Sequence, residues 1–331
     1  MIRPARPALA RPLALGLAAL AATPLGAQAP VPAEAALPSA AASLVDPAAE
    51  VLALEQERYR RLTLPVTVEG TGPFAFLIDT GSQATAVTHE LSARLGLAPA
   101  GRATLVGMAS RRQVDLVRIG ALGVGSSSLT DLVAPVLEGA HVGADGILGL
   151  DALQDHRVLI DFRAQTIALD DARGRGHGDG GFEIVVRARQ RHGQLLITNA
   201  LVEGVRATVI IDTGAQASLG NIALRERIRA RRAQDVITTD VNGVDLVGEL
   251  VMVRSLSIEG LTINDVALTF ADTPAFAALG LADRPVLSLG MQHLALFERV
   301  GIDFARQRIL FDVPRDIAAA IRAARRAGYR P

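Results

Sequence analysis

The chain is predicted to be mostly β, built as two homologous lobes with a pseudo-two-fold relation and a site between them. Three observations predict this. Phe76-Leu77-Ile78-Asp79-Thr80-Gly81-Ser82-Gln83-Ala84 and Val209-Ile210-Ile211-Asp212-Thr213-Gly214-Ala215-Gln216-Ala217 are near-copies of one another. The segments that follow each copy recur in the same order, which marks an internal duplication. Short apolar runs punctuated by turn residues dominate both copies, as strands do.

Length and composition bound the rest. The 331 residues can hold two domains of ordinary size. Half are apolar but only 3% aromatic, so the core must be Val, Ile, Leu and Ala. Acidic and basic residues balance at 34 each, so no overall field favours nucleic acid. Every basic residue is Arg, which together with the abundant Ala fits a GC-rich bacterial genome. The absence of Cys removes disulfides, thiol nucleophiles and thiolate metal sites.

Residues 1–29 read as a signal peptide. Arg3, Arg6 and Arg11 precede an apolar run from Leu13 to about Leu25, and Ala27-Gln28-Ala29 resembles a cleavage site. Pro30 disfavours cutting after Ala29, so Ala27 is an equal candidate. The run is shorter than the ~20 residues a spanning helix needs. An exported protein is expected, periplasmic or secreted. Residues 30–54 are rich in Ala and Pro and read as a tether.

The first lobe is expected over 55–172. Leu64–Val68 reads as a strand, Glu69–Gly72 as a turn and Phe74–Ile78 as the strand carrying Asp79. Thr88 can cap a helix bearing Leu91 and Leu95 and ending at Gly96. Gly107–Ser110 separates Thr104–Val106 from Val114–Ile119 as a mobile hairpin. Asp145–Leu150 is a compact apolar segment, followed by a short helix near Asp151 and the hairpin Arg157–Phe162 with Thr166–Leu169.

Residues 173–181 alternate Gly with charge. A phosphate cradle would need a helix next, but Phe182–Val186 is strand-like, so this is read as a linker. The second lobe, 182–314, repeats the scheme: strand Ala207–Ile211, Asp212, a helix capped by Asn221 with Leu224 and Ile228 on one face, and a hairpin turn at Val241–Val244. Val286–Met291 echoes Ile147–Leu150, and Gly301–Phe304 with Arg308–Phe311 echoes the earlier hairpin. A basic tail, 315–331, ends the chain.

The two Asp residues carry the chemistry. Each sits where a buried strand ends, before a Gly that permits a sharp turn. Two carboxylates about 3 Å apart repel by roughly 5 kcal/mol at an effective dielectric of ~20, or about four pKa units, so they share one proton. The ionised member can take a proton from water while its partner polarises a carbonyl.

With matching flanks around both copies, and with Asp145-Gly146-Ile147-Leu148-Gly149-Leu150 between them, the chain resembles pepsin-like and retropepsin-like aspartic proteases from Leu62 to Val313. The resemblance implies one retropepsin-like β-barrel lobe per half and an active site between the lobes. It implies Asp79 and Asp212 as catalytic residues, supported by Thr80, Gly81, Ser82, Thr213, Gly214 and Ala215. The Thr hydroxyls are implied to bond across the lobes, and the Ser82 hydroxyl to donate to Asp79, which Ala215 cannot do for Asp212. That asymmetry would leave the charge on Asp79. Gly107 and Met108, with Asn242 and Gly243, are the flap candidates; the Tyr that pepsins place over the cleft is absent from both.

The expected function is therefore an aspartic endopeptidase acting on polypeptide, without cofactor or metal, as a monomer with an internal pseudo-dimer. Its rivals are a peptide-binding protein on the same fold that performs no catalysis, and a homodimer in which each Asp pairs with its twin. The six His are scattered, and His89-Glu90 lacks the second His of a zinc helix. Asp161 and Asp303, each before Phe, are read as turn residues rather than a second catalytic pair.

Overall fold

A computed structural model describes residues 22–23, 63–125, 127–171, 182–229, 232–315 and 317–319. The linker expected at 173–181, most of the basic tail, and the signal and tether segments other than Ala22–Thr23 lie outside these residues.

Local rules build the first lobe. Thr63–Val68 and Thr71–Ile78 pair antiparallel, with Leu64 opposite Phe76 and Val66 opposite Phe74. The turn between them places Glu69 and Gly70 at positive φ. Alternation then buries Val66, Val68, Phe74 and Phe76 on one face. Seven strands follow one another in the order Thr63–Val68, Thr71–Ile78, Gly146–Leu148, Ala86–Thr88, Ser127–Leu137, Arg111–Val124 and Ala98–Val106. Pairing of Val66 with Val124 closes this sheet into a barrel, so its buried strands leave few free edges.

The second lobe repeats the order. Gln194–Val202, Val205–Ile211, Val286–Leu289, Leu219–Gly220, Leu261–Phe270 and Asp245–Ile258 follow in sequence around the sheet, which closes where Leu201 meets Ser257. Arg232–Thr239 extends it, and Ala22–Thr23 pairs with Ile237 and Thr238 at that edge. Each lobe therefore carries the same parallel pair at its centre. Ile78 lies in register with Leu148, and Ile211 with Leu289.

A third sheet belongs to both halves. His156–Asp161 pairs with Arg299–Asp303, Ile160 facing Val300, so the hairpin ending one half is continuous with the hairpin ending the other. Thr166–Asp171, Arg308–Asp312 and Ile184–Arg187 complete its five strands. Val158, Ile160, Val300 and Ile302 are buried along this seam, each worth roughly 2 kcal/mol of burial. Asp161 Oδ1 accepts from Ala164 N–H, and Asp303 Oδ1 from Arg306 N–H; both are turn caps, as the sequence suggests.

Helices are short. Thr88 Oγ1 accepts from Leu91 N–H at the start of His89–Leu95, and Gly96 ends that helix in the left-handed conformation. Asn221 Oδ1 caps Ile222–Arg225 through Leu224 N–H. Here the structure corrects the sequence reading. The helix stops at Arg225, and Ile228 is buried beyond its end, not on its face.

Candidate active site

Both Asp-Thr-Gly turns leave the central parallel pair of their lobes. Asp79 N–H donates to Leu148 O, and Asp212 N–H to Leu289 O, both at 3.0 Å. The glycines after these strands are needed for close approach. A Cβ on Gly149 would lie 2.5 Å from Ala84 O, and one on Gly290 2.5 Å from Ala217 O. The turn after each Asp is thus held directly against the strand end that follows its partner.

The two turns meet across the lobes. Thr80 Oγ1 donates to Ile211 O at 2.8 Å, and Thr213 Oγ1 donates to Ile78 O at 2.7 Å. In return Thr213 N–H reaches Thr80 Oγ1 at 3.2 Å, and Thr80 N–H reaches Thr213 Oγ1 at 3.1 Å. This reciprocal set places the carboxylates together. Asp79 is so close to the other turn that a Cβ on Gly214 would lie 2.5 Å from its Oδ1.

Backbone donors orient each acid in the same way. Asp79 Oδ1 accepts from Gly81 and Ser82 N–H at 2.8 and 3.0 Å. Asp212 Oδ1 accepts from Gly214 and Ala215 N–H, both at 3.1 Å. Both side chains are buried. Burial first, and then the facing Asp79 charge, hold the Asp212 carboxyl well above the usual carboxylate range.

One expectation is overturned. The Ser82 hydroxyl does not donate to Asp79; it donates to Ala84 O at 2.9 Å, and only the Ser82 backbone N–H reaches the carboxylate. The tight turn aims the side chain along its own loop. The hydroxyl that does reach an acid is Ser288 Oγ, which donates to Asp212 Oδ2 at 2.9 Å. The hydroxyl donor expected on Asp79 from Ser82 is therefore found on Asp212, from Ser288.

Behind each turn lies a further matched pair. Thr85 donates through its N–H and Oγ1 to Asp151, whose carboxyl is raised by burial. At the equivalent place Ser218 Oγ accepts from Gly290 N–H and is hydrogen-bonded to His293 Nδ1 at 2.7 Å. Burial lowers the His293 imidazole to about 4.

The flap candidates form hairpin turns as read, but they are crossed and interlocked. Met108 is fully buried and shares a core cluster with Leu196, Ile210 and Phe276 of the second lobe. Val241, beside Asn242, shares one with Leu77, Leu105 and Ile147 of the first. Each hairpin thus joins the core next to the opposite Asp strand. Asp240 pins the crossing. Its Oδ1 takes Asn242 and Val244 N–H, while its Oδ2 takes Ala109 N–H at 3.1 Å and Ser110 Oγ at 2.7 Å. Asn242 Nδ2 donates to Ser110 Oγ, and Arg112 Nη1 donates to Asn242 O. Gly243, at positive φ, faces His141, and Gly107 faces Asp240.

Sequence reasoning missed Ser288, Asp240 and Gln194, whose Nε2 donates to Gly81 O at 2.6 Å. Ser288 could have been found by aligning the halves, since it stands where the first half has Ile147. Asp240, two residues before Asn242-Gly243, carries the signature of a turn that its own side chain closes. Gln194 leaves no local signal, because its partner is in the other lobe.

Two duplicate barrels that each send an Asp-Thr-Gly turn to one buried centre define a two-lobed acid-dyad architecture. The aspartyl protease family model matches twice, over 64–152 and 198–292, together more than half of the chain. The chain belongs to the aspartyl protease family. Among solved structures it is similar to a retropepsin-like aspartic protease from Rickettsia conorii at 20% identity and a TM-score of 0.27, covering 39% of this chain and 89% of that one. No curated protein matches the chain. Among the described residues no cluster of His, Cys, Asp or Glu could hold a metal ion, and no helix is long and apolar enough to cross a membrane.

Proposed function

We propose that this protein is an aspartic endopeptidase whose reacting groups are Asp79 and Asp212. The carrying observation is the reciprocal threonine bonding, which brings two buried carboxyls together so that the charge of one raises the other. Such a pair holds one proton between its members. The ionised acid takes a proton from water, and the water oxygen attacks the peptide carbonyl carbon. The protonated acid gives its proton to the carbonyl oxygen. When the tetrahedral species collapses, a proton returns to the departing nitrogen. The two acids supply every proton transfer, so the reaction as read uses no cofactor or metal.

A polypeptide would bind extended, as an added strand. To admit it, the crossed hairpins must part at Asp240. Subsites lined by residues such as Met108, Val241 and Ile147 would favour apolar side chains. Both acids come from one chain, which supports a monomeric enzyme. The N-terminal Arg residues, apolar run and Ala27-Gln28-Ala29 support export with loss of the leader.

The test is a diverse peptide library incubated across pH, with and without a statine-type mimic of the tetrahedral species. Cleavage blocked by that mimic, and lost in Asp79→Asn and Asp212→Asn variants that remain folded, is expected. Substantial residual hydrolysis in either variant would reject the assignment. A wild-type protein that binds peptides but cuts none would point to the peptide-binding reading.

A further inference from the structure

We infer that Gln194 is a substrate-binding residue. Its side-chain amide, anchored on the first acid turn, presents Oε1 as an acceptor for one backbone N–H of an extended polypeptide beside the acid pair. The inference rests on the protease reading for the ligand's being a polypeptide.

Its place follows from the strand that carries it. Gln194 opens Gln194–Val202, and a tight turn through His192 at φ 49° and Gly193 at φ 83° ties it to Arg189–Arg191. The backbone of Gln194 is therefore fixed on a hairpin and not on a loose loop. Leu196 pairs with Ile210, so continuing that register by two residues brings Gln194 level with Asp212, on the face that Leu196 and Ile210 share. Leu196, Ile210 and Met108 belong to one buried cluster, so the tip of the first hairpin covers the same wall.

From there the side chain crosses to the other lobe. Nε2 donates to Gly81 O at 2.6 Å, in the turn that follows Asp79. A carbonyl oxygen can only accept, so the nitrogen must face Gly81 and Oε1 is left outside that bond. Gln194 is 1% exposed, and its Oε1 is buried with no hydrogen-bond partner among the described residues. A buried carbonyl without a donor is costly and uncommon. Bracing Gly81 uses only the nitrogen half of the amide. The oxygen half calls for a donor from outside the fold, and a neutral carbonyl oxygen suits a neutral N–H. An extended peptide carries such groups along its edge. Parting the hairpins moves Met108 away from Leu196 and opens this wall to the entering chain.

The test uses a peptide that wild type cleaves, resynthesised with each backbone amide in turn replaced by an ester, which removes one N–H and keeps the carbonyl. At one position the ester is expected to cost wild type about tenfold in kcat/KM. Gln194→Leu should cleave the all-amide peptide about tenfold less well and be indifferent to that ester, while ester penalties elsewhere persist. Gln194→Met, of similar length, serves if the Leu variant does not fold. A residue that only braced Gly81 would slow amide and ester substrates alike. Ester penalties equal in wild type and variant at every position overturn the inference.

Binding to wild type reads the same contact without any substitution. Statine-type mimics carrying the same ester replacements should lose affinity at that single position. The Gln194 13Cδ resonance should move with the amide mimic and not with its ester counterpart; a resonance that responds to both alike overturns the inference. A wild type that binds the mimics in this pattern but cuts no peptide would reject the protease reading and leave the role of Gln194 standing. One that neither binds nor cuts would overturn both.

Discussion

His293 shows how one buried residue ties stability to pH. Its folded-state value of about 4 lies below the ordinary 6.5, so the unfolded chain takes up a proton first as pH falls. Its contribution is complete above pH 6.5 and is lost as pH falls from there toward 4. The loss amounts to about 3 kcal/mol by linkage. Denaturant titrations of wild type and His293→Gln should diverge by about that amount across the window; parallel curves would contradict it. Asp212 has the opposite sign. Its raised carboxyl favours folding below the ordinary 3.8, and that contribution disappears as pH rises. Asp212→Asn should therefore be inactive yet melt higher than wild type at pH 7, because it no longer places a like charge beside Asp79. A lower Tm would show that the acid is not strained. At this scale the sequence was informative wherever a partner is near in the chain. Thr88 and Asn221 bond three residues ahead, so their capping was readable. Ser82 was misread because the turn geometry, and not proximity to Asp79, aims its hydroxyl at Ala84.

Among the elements, the crossed hairpins matter most for access. Asp240 accepts four hydrogen bonds while nearly fully buried, joining tips separated by about 130 residues in sequence. Asp240→Ala leaves Ala109 N–H, Ser110 Oγ and two amides of its own turn without their acceptor. Amide exchange should then quicken at Ala109, Asn242 and Val244 while amides at Leu148 and Leu289 keep wild-type protection. Uniform loss of protection would mean that Asp240 supports the whole fold and not the crossing alone. Both hairpins could be located from turn residues between apolar runs, but their interlock could not. Ser127–Leu137 escaped the sequence reading, since Ser-Ser-Leu-Thr-Asp-Leu is half exposed and has no clean alternation.

For the whole molecule, the shared five-stranded sheet makes the halves one unit. Ile302 is almost fully buried on the seam strand. Ile302→Ala should cost about 2–5 kcal/mol, through lost burial and the cavity left behind. Because the threonine bonds require both lobes, activity should fall with global stability in one transition. Separate melting of the two lobes by calorimetry would refute this coupling.

By itself the sequence determined the duplication, the two Asp-Thr-Gly turns and the strand that delivers each, because these rest on residues adjacent in the chain. Only the tertiary structure decided that Thr80 bonds Ile211, that Ser288 and not Ser82 reaches an acid, and that Asp240 holds the hairpins crossed. Each of those contacts joins residues far apart in sequence. A hydroxyl or carboxylate alone does not reveal which distant partner it meets; folding two barrels against each other does.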